Sequence, residues 1–347
     1  MNSSTNHDNE KAISVILVNY NSHEDTINCL QSLFNLEYHN FKIIVVDNSD
    51  TAAPLNEISA WANTFLRGKT NRSHTSDKSV EVDIHSFKVL NEGDNIALDV
   101  STKLIVIKAA INRGFAAANN LALDFAKSQI ETDWFWILNN DTRVATDVLM
   151  NFNKYILDNK VDNLGIVGTN LYHYYSPQIL QAIGGTYNKW LGTTSHVHKV
   201  SDRDEDRINL FFEKVDYIIG ASMFVSSDFL THVGNMEEKY FLYYEEIDWT
   251  IRGKKLGYQI GYAHQCNVYH KEGATIGSGD GRQKSVLADY YSLRNKILFT
   301  KKFYPQFIPT IYLSLTFSMI LRIYRLQFKR AIMIFNIMRN VPWVKVI

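Results

Sequence analysis

The sequence predicts an α/β protein built on a mostly parallel sheet with helices on both faces. Two observations carry that expectation. Four short runs, ISVILV (13–18), FKIIVV (41–46), KLIVIK (103–108) and WFWIL (134–138), are apolar throughout rather than alternating, as strands buried on both sides must be. Helical periodicity falls between them, as over 114–128, which is the rhythm of a parallel sheet with crossover helices.

Each element follows from its residues. The first run ends in Asn19-Tyr20-Asn21-Ser22, and Ser22 is placed to cap a helix over 23–34, where Ile27, Leu30 and Phe34 recur. The second ends in Asp47-Asn48-Ser49. Residues 67–101 are polar, mixed in charge and weakly periodic, which predicts an insertion or flexible loop. The third run leads into INRGFAAANN (111–120), where Gly114 permits close backbone approach and Ala116–Ala118 let a helix pack tightly. The fourth ends in WILNNDT (136–142). Beyond it, GIVGTNLYHY (165–174) and VDYIIGASMFVS (215–226) read as strands. Residues 227–233 read as a short helix stopped by Gly234, and 245–256 as a helix stopped by Gly257, with a strand over 258–269.

At 347 residues and 46% hydrophobic, the chain is folded rather than disordered. Cys29 and Cys266 form no disulfide framework or metal spacing, which fits a reducing setting. The N-terminus, MNSSTNHDNEKA, has no apolar signal core, so a cytoplasmic location is expected. Charge is unevenly spread. Residues 290–347 hold ten Lys/Arg and no Asp/Glu, while the other 26 Lys/Arg share the rest of the chain with all 36 Asp/Glu. Within this basic end, FIPTIYLSLTFSMIL (307–321) is 15 residues with an internal Pro309, too short to span a bilayer comfortably. RIYRLQFKRAIMIFNIMRN follows it, mixing cations with large apolar residues. The expectation is an interfacial element drawn to anionic lipid through 303–347; the alternative is a helix pair packed on the domain or on another subunit. Dense Ile, Leu, Phe and Met argue against nucleic acid.

In an open parallel sheet, ligands bind outside the C-terminal strand ends. Asn19/Tyr20, Asp47/Asn48/Ser49 and Asn139/Asn140/Asp141 then share one edge. Tyr20 can stack on a base, Asp47 can accept from a base or ribose, and Asp141 can meet a diphosphate through a metal. Singly, each is as good a turn residue; together they favour a nucleotide site. The GxGxxG fingerprint is absent, against a nicotinamide or flavin enzyme. In FLYYEEIDWTIRGKKLG (241–257), Glu245, Asp248 and Arg252 are spaced to share a helical face and pair, with Glu246 pointing elsewhere. Such acids suit a helix N-terminus and can also supply a general base. His270, in VYHKEGATIG, becomes a plausible metal ligand with a partner such as Asp141.

SVILVNYNS, IIVVDNSD, NRGFAAANN, WILNND, GASMFV, FLYYEEIDW and VYH occur in an order that resembles the family 2 inverting glycosyltransferases of GT-A fold, in particular their rhamnosyltransferase-like branch. The resemblance covers about residues 12–300. It implies a catalytic domain over 1–289 and a helical extension over 290–347. It implies nucleotide-contacting positions at Asn19, Tyr20 and Asp47, a loop and helix at Arg113, Gly114 and Asn119 closing on the nucleotide sugar, and Asn139, Asn140 and Asp141 in the DXD region. Asp141 matches the acid that holds a divalent metal, Mg2+ or Mn2+, and His270 a histidine that completes that site. Glu246 is the first choice for general base and Glu245 the next. Asn139 replaces the family's first DXD acid, and Glu stands where the family has Asp at the base position. The implied partners are a nucleotide-sugar donor (dTDP-L-rhamnose or a UDP-sugar) and a glycan or lipid-linked acceptor at the cytoplasmic face of the inner membrane. A pyrophosphorylase-like enzyme and a non-catalytic sugar-nucleotide binder are the alternatives.

Overall fold

The computed structural model of the chain describes residues 10–71, 86–159, 161–197, 213–271 and 285–341. The polar N-terminal tail, residues 72–85 of the expected insertion, the Gly-rich loop after Lys271 and the last six residues lie outside them.

The elements in order are β1 (Ile13–Asn19), α1 (His23–Leu33), β2 (Phe41–Asp47), α2 (Ala53–Asn71), β3 (Ser86–Asn91), β4 (Thr102–Lys108), α3 (Phe115–Gln129), β5 (Trp134–Asn139), β6 (Thr142–Val144) and α4 (Val148–Asp158). Then come β7 (Leu164–His173), β8 (Ser176–Ala182), the hairpin β9 (Gly184–Asn188) and β10 (Thr193–Val197), β11 (Ser222–Ser226), α5 (Ser227–Val233), α6 (Glu245–Lys255), β12 (Gln259–His270), α7 (Val286–Phe303), α8 (Ile308–Tyr324) and α9 (Phe328–Met338). The sheet order is β3-β4-β2-β1-β5-β11-β7-β12-β6, with β8 paired to β7. Neighbours are parallel from β3 through β5. β11 then runs antiparallel to both β5 and β7.

The apolar runs are strands because alternate residues enter two separate cores. Val15, Leu17, Ile43, Val45, Leu104, Val106, Trp136 and Leu138 pack against α1, α2 and α4. Ile16, Ile44, Val46, Ile105, Ile107, Phe135 and Ile137 pack on the other face, against the alanines of α3 and Trp249 of α6. Small side chains at Ala116, Ala118, Ala122 and Ala126 bring α3 close to the sheet.

Four local expectations are corrected. Ser22 stands before α1, but its hydroxyl donates to Asp25 Oδ2 at 2.7 Å instead of capping the backbone. Within 67–101, Ser86–Asn91 is an edge strand beside β4 and α2 runs to Asn71; one exposed side hides the strand's periodicity. Of VDYIIGASMFVS, residues 222–226 alone are strand; Val215, Tyr217 and Ile218 are buried as an irregular segment packed into the cores. Pro309 does not interrupt the C-terminal apolar stretch. It falls in the first turn of α8, where no backbone N–H is needed. The continuous helical stretch Pro305–Tyr324 is 20 residues, long and apolar enough to cross a membrane by length and composition.

Candidate active site

Parallel register places Asn19 beside Asp47 and Asp47 beside Lys108. These three form a row inside the sheet edge. Asn19 Nδ2 donates to Asp47 Oδ1 at 2.7 Å, Ser49 Oγ donates to the same oxygen at 2.6 Å, and Lys108 Nζ lies 2.9 Å from Oδ2. Asn19 and Asp47 are fully buried. They brace the edge from beneath, and the residues after them reach the ligand space.

That space is a cleft of about 1250 Å³, larger than one small ligand needs and suited to two substrates. At one end it is lined by Tyr20, Asn48, Asp50, Asn112 and Gly114. Asn48 Nδ2 donates to Asn112 Oδ1 at 2.8 Å, and Gly114 N donates to that same oxygen at 2.9 Å. Arg113 turns away to Glu92, 2.5 Å off, and is part-exposed. Asn119 is buried in α3, where its Nδ2 donates to Phe115 O and its Oδ1 has no hydrogen-bond partner among the described residues.

Asn139, Asn140, Asp141 and His270 meet in the same cleft. Asn140 Nδ2 donates to Thr26 Oγ1 at 2.9 Å and is held by α1. His270 Nδ1 lies 3.1 Å from Gln181 Oε1. A carbonyl oxygen accepts only, so Nδ1 carries the hydrogen and Nε2 presents its lone pair. Nε2 accepts from Asn139 Nδ2 at 3.3 Å and lies 3.3 Å from Asp141 Oδ1. That carboxylate oxygen is buried and has no hydrogen-bond donor among the described residues. An orphaned carboxylate oxygen beside an imidazole lone pair suits a cation. Among the described residues no group of three or more His, Cys, Asp and Glu gathers at one point. Asp141 and His270 thus fit as two protein ligands that would hold a divalent ion, with other ligands needed from outside the protein.

The third part is the acid pair. Phe241, Tyr243 and Tyr244 have φ of 65°, 69° and 79°, a left-handed region costly for bulky side chains. This strained turn delivers Glu245 and Glu246 at the start of α6. Three contacts hold it. Asn295 of α7, fully buried, donates through Nδ2 to the carbonyls of Tyr240, Leu242 and Tyr243 at 2.8, 2.8 and 3.0 Å. Tyr244 Oη donates to Gly192 O at 2.7 Å. Phe241 O accepts from Phe115 N at 2.7 Å, so the turn caps α3. Gly114, at φ 96°, is required here: a Cβ would overlap the Phe241 carbonyl and lie 2.7 Å from its Cα. Gly114→Ala should therefore lower stability by about 1–3 kcal/mol and cut activity further than stability alone explains, because the acid-bearing turn must move. Urea unfolding alongside turnover at saturating substrate checks this.

Both acids line the cleft. Asp248 and Arg252 pair at 2.7 Å as their spacing predicts, and Asp248 also takes Lys302 at 2.6 Å and the Tyr240 hydroxyl at 2.9 Å. Glu245 does not join them; its Oε2 has no hydrogen-bond partner among the described residues. Burial pushes the Glu246 carboxyl up to about 7, against backbone N–H groups that hold it down. Glu245 is raised well above the usual range, first by burial and then by the charge of Glu246. Both carboxyls are thus held above their usual range, Glu245 by burial and by its neighbour's charge, and the two titrate as a pair.

Gln181 and Asn295 belong to this site but carry no motif in the sequence, while Asn112 and Asp50 lie inside NRGFAAANN and IIVVDNSD without being singled out there. Asn48 stands one residue beyond Asp47, and the strand's alternation decides which of the two faces inward. A buried asparagine in the middle of a helix was the one available hint of Asn295.

Residues 14–76 match the family model of Glycosyl transferase family 2. Low-salt glycan biosynthesis hexosyltransferase Agl10 from Haloferax volcanii is 21% identical over 309 residues, 86% of this chain and 78% of that protein. Among solved structures, mannosyltransferase PcManGT from Pyrobaculum calidifontis, in complex with GDP-Man and Mn2+, superposes with a TM-score of 0.51 at 13% identity, covering 97% of this chain and 88% of that one. GalNAc-T7 with UDP, GalNAc and Mn2+ gives 0.59 at 11% identity over 88% of this chain, which spans half of that longer protein. Residues 14–76 therefore resemble Glycosyl transferase family 2, and the chain has a GT-A-like mixed α/β fold, its mostly parallel sheet flanked by helices with further helices at the C-terminus.

Proposed function

We propose that this chain is an inverting glycosyltransferase that moves a sugar from a nucleoside-diphosphate donor to a hydroxyl of a glycan or lipid-linked glycan. The observation that carries the reading is the sharing of one cleft by Asp141–His270 and by Glu246, an acid poised near neutrality. The distant hexosyltransferase homologue supports it. The Tyr20–Asn112 end takes the nucleotide; the rhamnosyl-like branch motifs favour dTDP-L-rhamnose, with a UDP-sugar as the other candidate. The 303–347 segment rests on the cytoplasmic leaflet.

Glu246 accepts the proton of the acceptor hydroxyl as its oxygen bonds to the anomeric carbon. The bond from that carbon to the diphosphate breaks on the opposite side, its electron pair leaves with the diphosphate, and the centre inverts. A divalent cation, Mg2+ or Mn2+, held by Asp141 and His270 would offset the charge that grows on the leaving group. Asn139 and Gln181 keep the His270 ring in place, and Asn140 fixes the loop to α1.

A panel of UDP-, dTDP- and GDP-sugars, read by donor hydrolysis and thermal shift with and without Mn2+, tests the reading. Hydrolysis of one donor class, enhanced by metal, is expected; no hydrolysis and no shift with any donor would overturn it. Asp141→Ala should abolish transfer and Mn2+ binding by calorimetry. In EDTA it should leave the melting temperature unchanged or higher, because it removes a buried, unpaired carboxylate oxygen. A destabilised variant that still binds Mn2+ would assign Asp141 a structural part instead.

A further inference from the structure

We infer that an anionic lipid surface docks on one apolar face built from α8, α9 and the β9–β10 turn, and that this face adjoins the acceptor end of the cleft. The inference rests on the glycosyltransferase reading for the meaning of "acceptor" and deepens it by giving the side from which a lipid-linked acceptor arrives.

The two last helices form a hairpin whose inner side is filled. Ile311 and Leu315 of α8 and Met333, Ile334 and Ile337 of α9 pack with Tyr290, Leu293 and Ile297 of α7. Their outer sides are not polar. Leu313, Phe317, Ile320 and Tyr324 form an exposed stripe at helical spacing on α8, and Phe328, Ile332 and Phe335 form another on α9. Only 11% of the apolar stretch through Pro305–Tyr324 is buried. Exposed apolar stripes of this extent mark a surface that is covered in use.

The charges select the cover. Arg322 and Arg330 turn inward, to Asp289 at 2.7 and 3.0 Å. Arg325 and Lys329, at the turn between the helices, and Arg339, at the far end of α9, are exposed. No acid occurs from 290 onward. Apolar stripes edged by cations without acids match a bilayer interface carrying negative headgroups. A second copy of the chain, meeting the face by two-fold symmetry, would bring the same cations into opposition.

The β9–β10 turn extends this face. Trp190 is 62% and Leu191 49% exposed. Thr310 Oγ1 donates to Trp190 O at 2.7 Å, and the Trp190 ring meets Phe307 edge-on at 4.7 Å, so the turn is fastened to the start of α8. Tryptophan at such a margin suits the headgroup zone. Gly192, two residues on, lines the cleft and accepts from Tyr244, the residue before the acid pair. The lipid-facing turn and the wall beside the acids are one short piece of chain.

The test uses the full chain with vesicles of phosphatidylcholine, with and without phosphatidylglycerol, read by co-sedimentation and by tryptophan quenching from bromolipid. Binding to the anionic vesicles, falling about tenfold at high salt, is expected. Phe317→Ser with Ile332→Ser should reduce binding by about tenfold or more. In a Trp343→Phe background, Trp190→Phe should keep most of the binding and lose the quenching. Equal binding by the double variant, quenching unchanged in Trp190→Phe, or a stable dimer that ignores vesicles would each overturn the inference. Donor hydrolysis needs no lipid. A chain that hydrolyses donor but ignores vesicles sinks the docking face alone; one that binds vesicles and hydrolyses no donor sinks the catalytic reading alone.

Discussion

Glu246→Gln should lower sugar transfer by about two to four orders of magnitude while the donor still raises the melting temperature. The amide keeps the shape of the carboxylate and cannot accept the acceptor's proton. Glu245→Gln should cost less, because burial and the charge of Glu246 both push Glu245 toward its neutral form. In the parent chain, kcat should rise with pH through about 7 and then level. Stability should move the other way. A carboxyl raised in the folded state stabilises the fold fully below its ordinary value near 4.5, and that contribution is lost as pH rises through about 7. Glu246→Gln should therefore unfold at a higher temperature than the parent at pH 8, with little difference at pH 4. A variant with near-normal kcat, or a parent whose kcat falls as pH rises from 6 to 8, would remove Glu246 from the mechanism.

Asn295→Leu should be the second large effect. One buried side-chain amide serves three carbonyls of the strained turn. Leucine fills the space and donates nothing; Tyr240 O keeps the Leu242 N–H as a donor, and losing the donor costs about 1–3 kcal/mol for each of the Leu242 and Tyr243 carbonyls. Relief of the strain at Phe241, Tyr243 and Tyr244 should then reposition Glu246. The expected signature is a large fall in kcat, a small change in donor KM, and a shift in the pH midpoint of kcat away from about 7. A purely structural asparagine would lower stability and leave that midpoint in place. Asn295→Asp should be worse, since it turns a carboxylate toward three carbonyl oxygens.

Much of the fold was legible because burial on two sides leaves a strong imprint. Runs such as ISVILV and KLIVIK can satisfy two cores only as interior strands, and their polar ends then mark a sheet edge. The edge was found correctly, but not which residue of each polar end faces out. Asp47 and Asn19 turn under the edge because register sets them against Lys108 and each other; Asn48 and Tyr20 reach the cleft. Asp141 and His270 were expected as partners and do meet. Gln181, which orients that histidine, sits on a short strand with no motif of its own. Asn295 was hidden because its three acceptors are backbone atoms more than fifty residues away. VDYIIGASMFVS misled because apolar character reports burial, and a buried irregular segment is as apolar as a strand.

The reversed strand β11 has a longer reach than its five residues suggest. A parallel strand in its slot would receive its incoming chain at the far edge of the sheet. Because β11 runs backwards, its incoming chain arrives beside the end of β5, where Asn139 N donates to Ala221 O at 2.9 Å. Tyr217, Ile219 and Gly220 thereby become cleft wall. The side chains that this wall turns to the cleft can change without shifting the register of β1, β2, β4 or β5, while Val215 and Ile218 stay fixed in the core. Under the proposed function, variation there would alter the choice of acceptor before it touched the choice of donor.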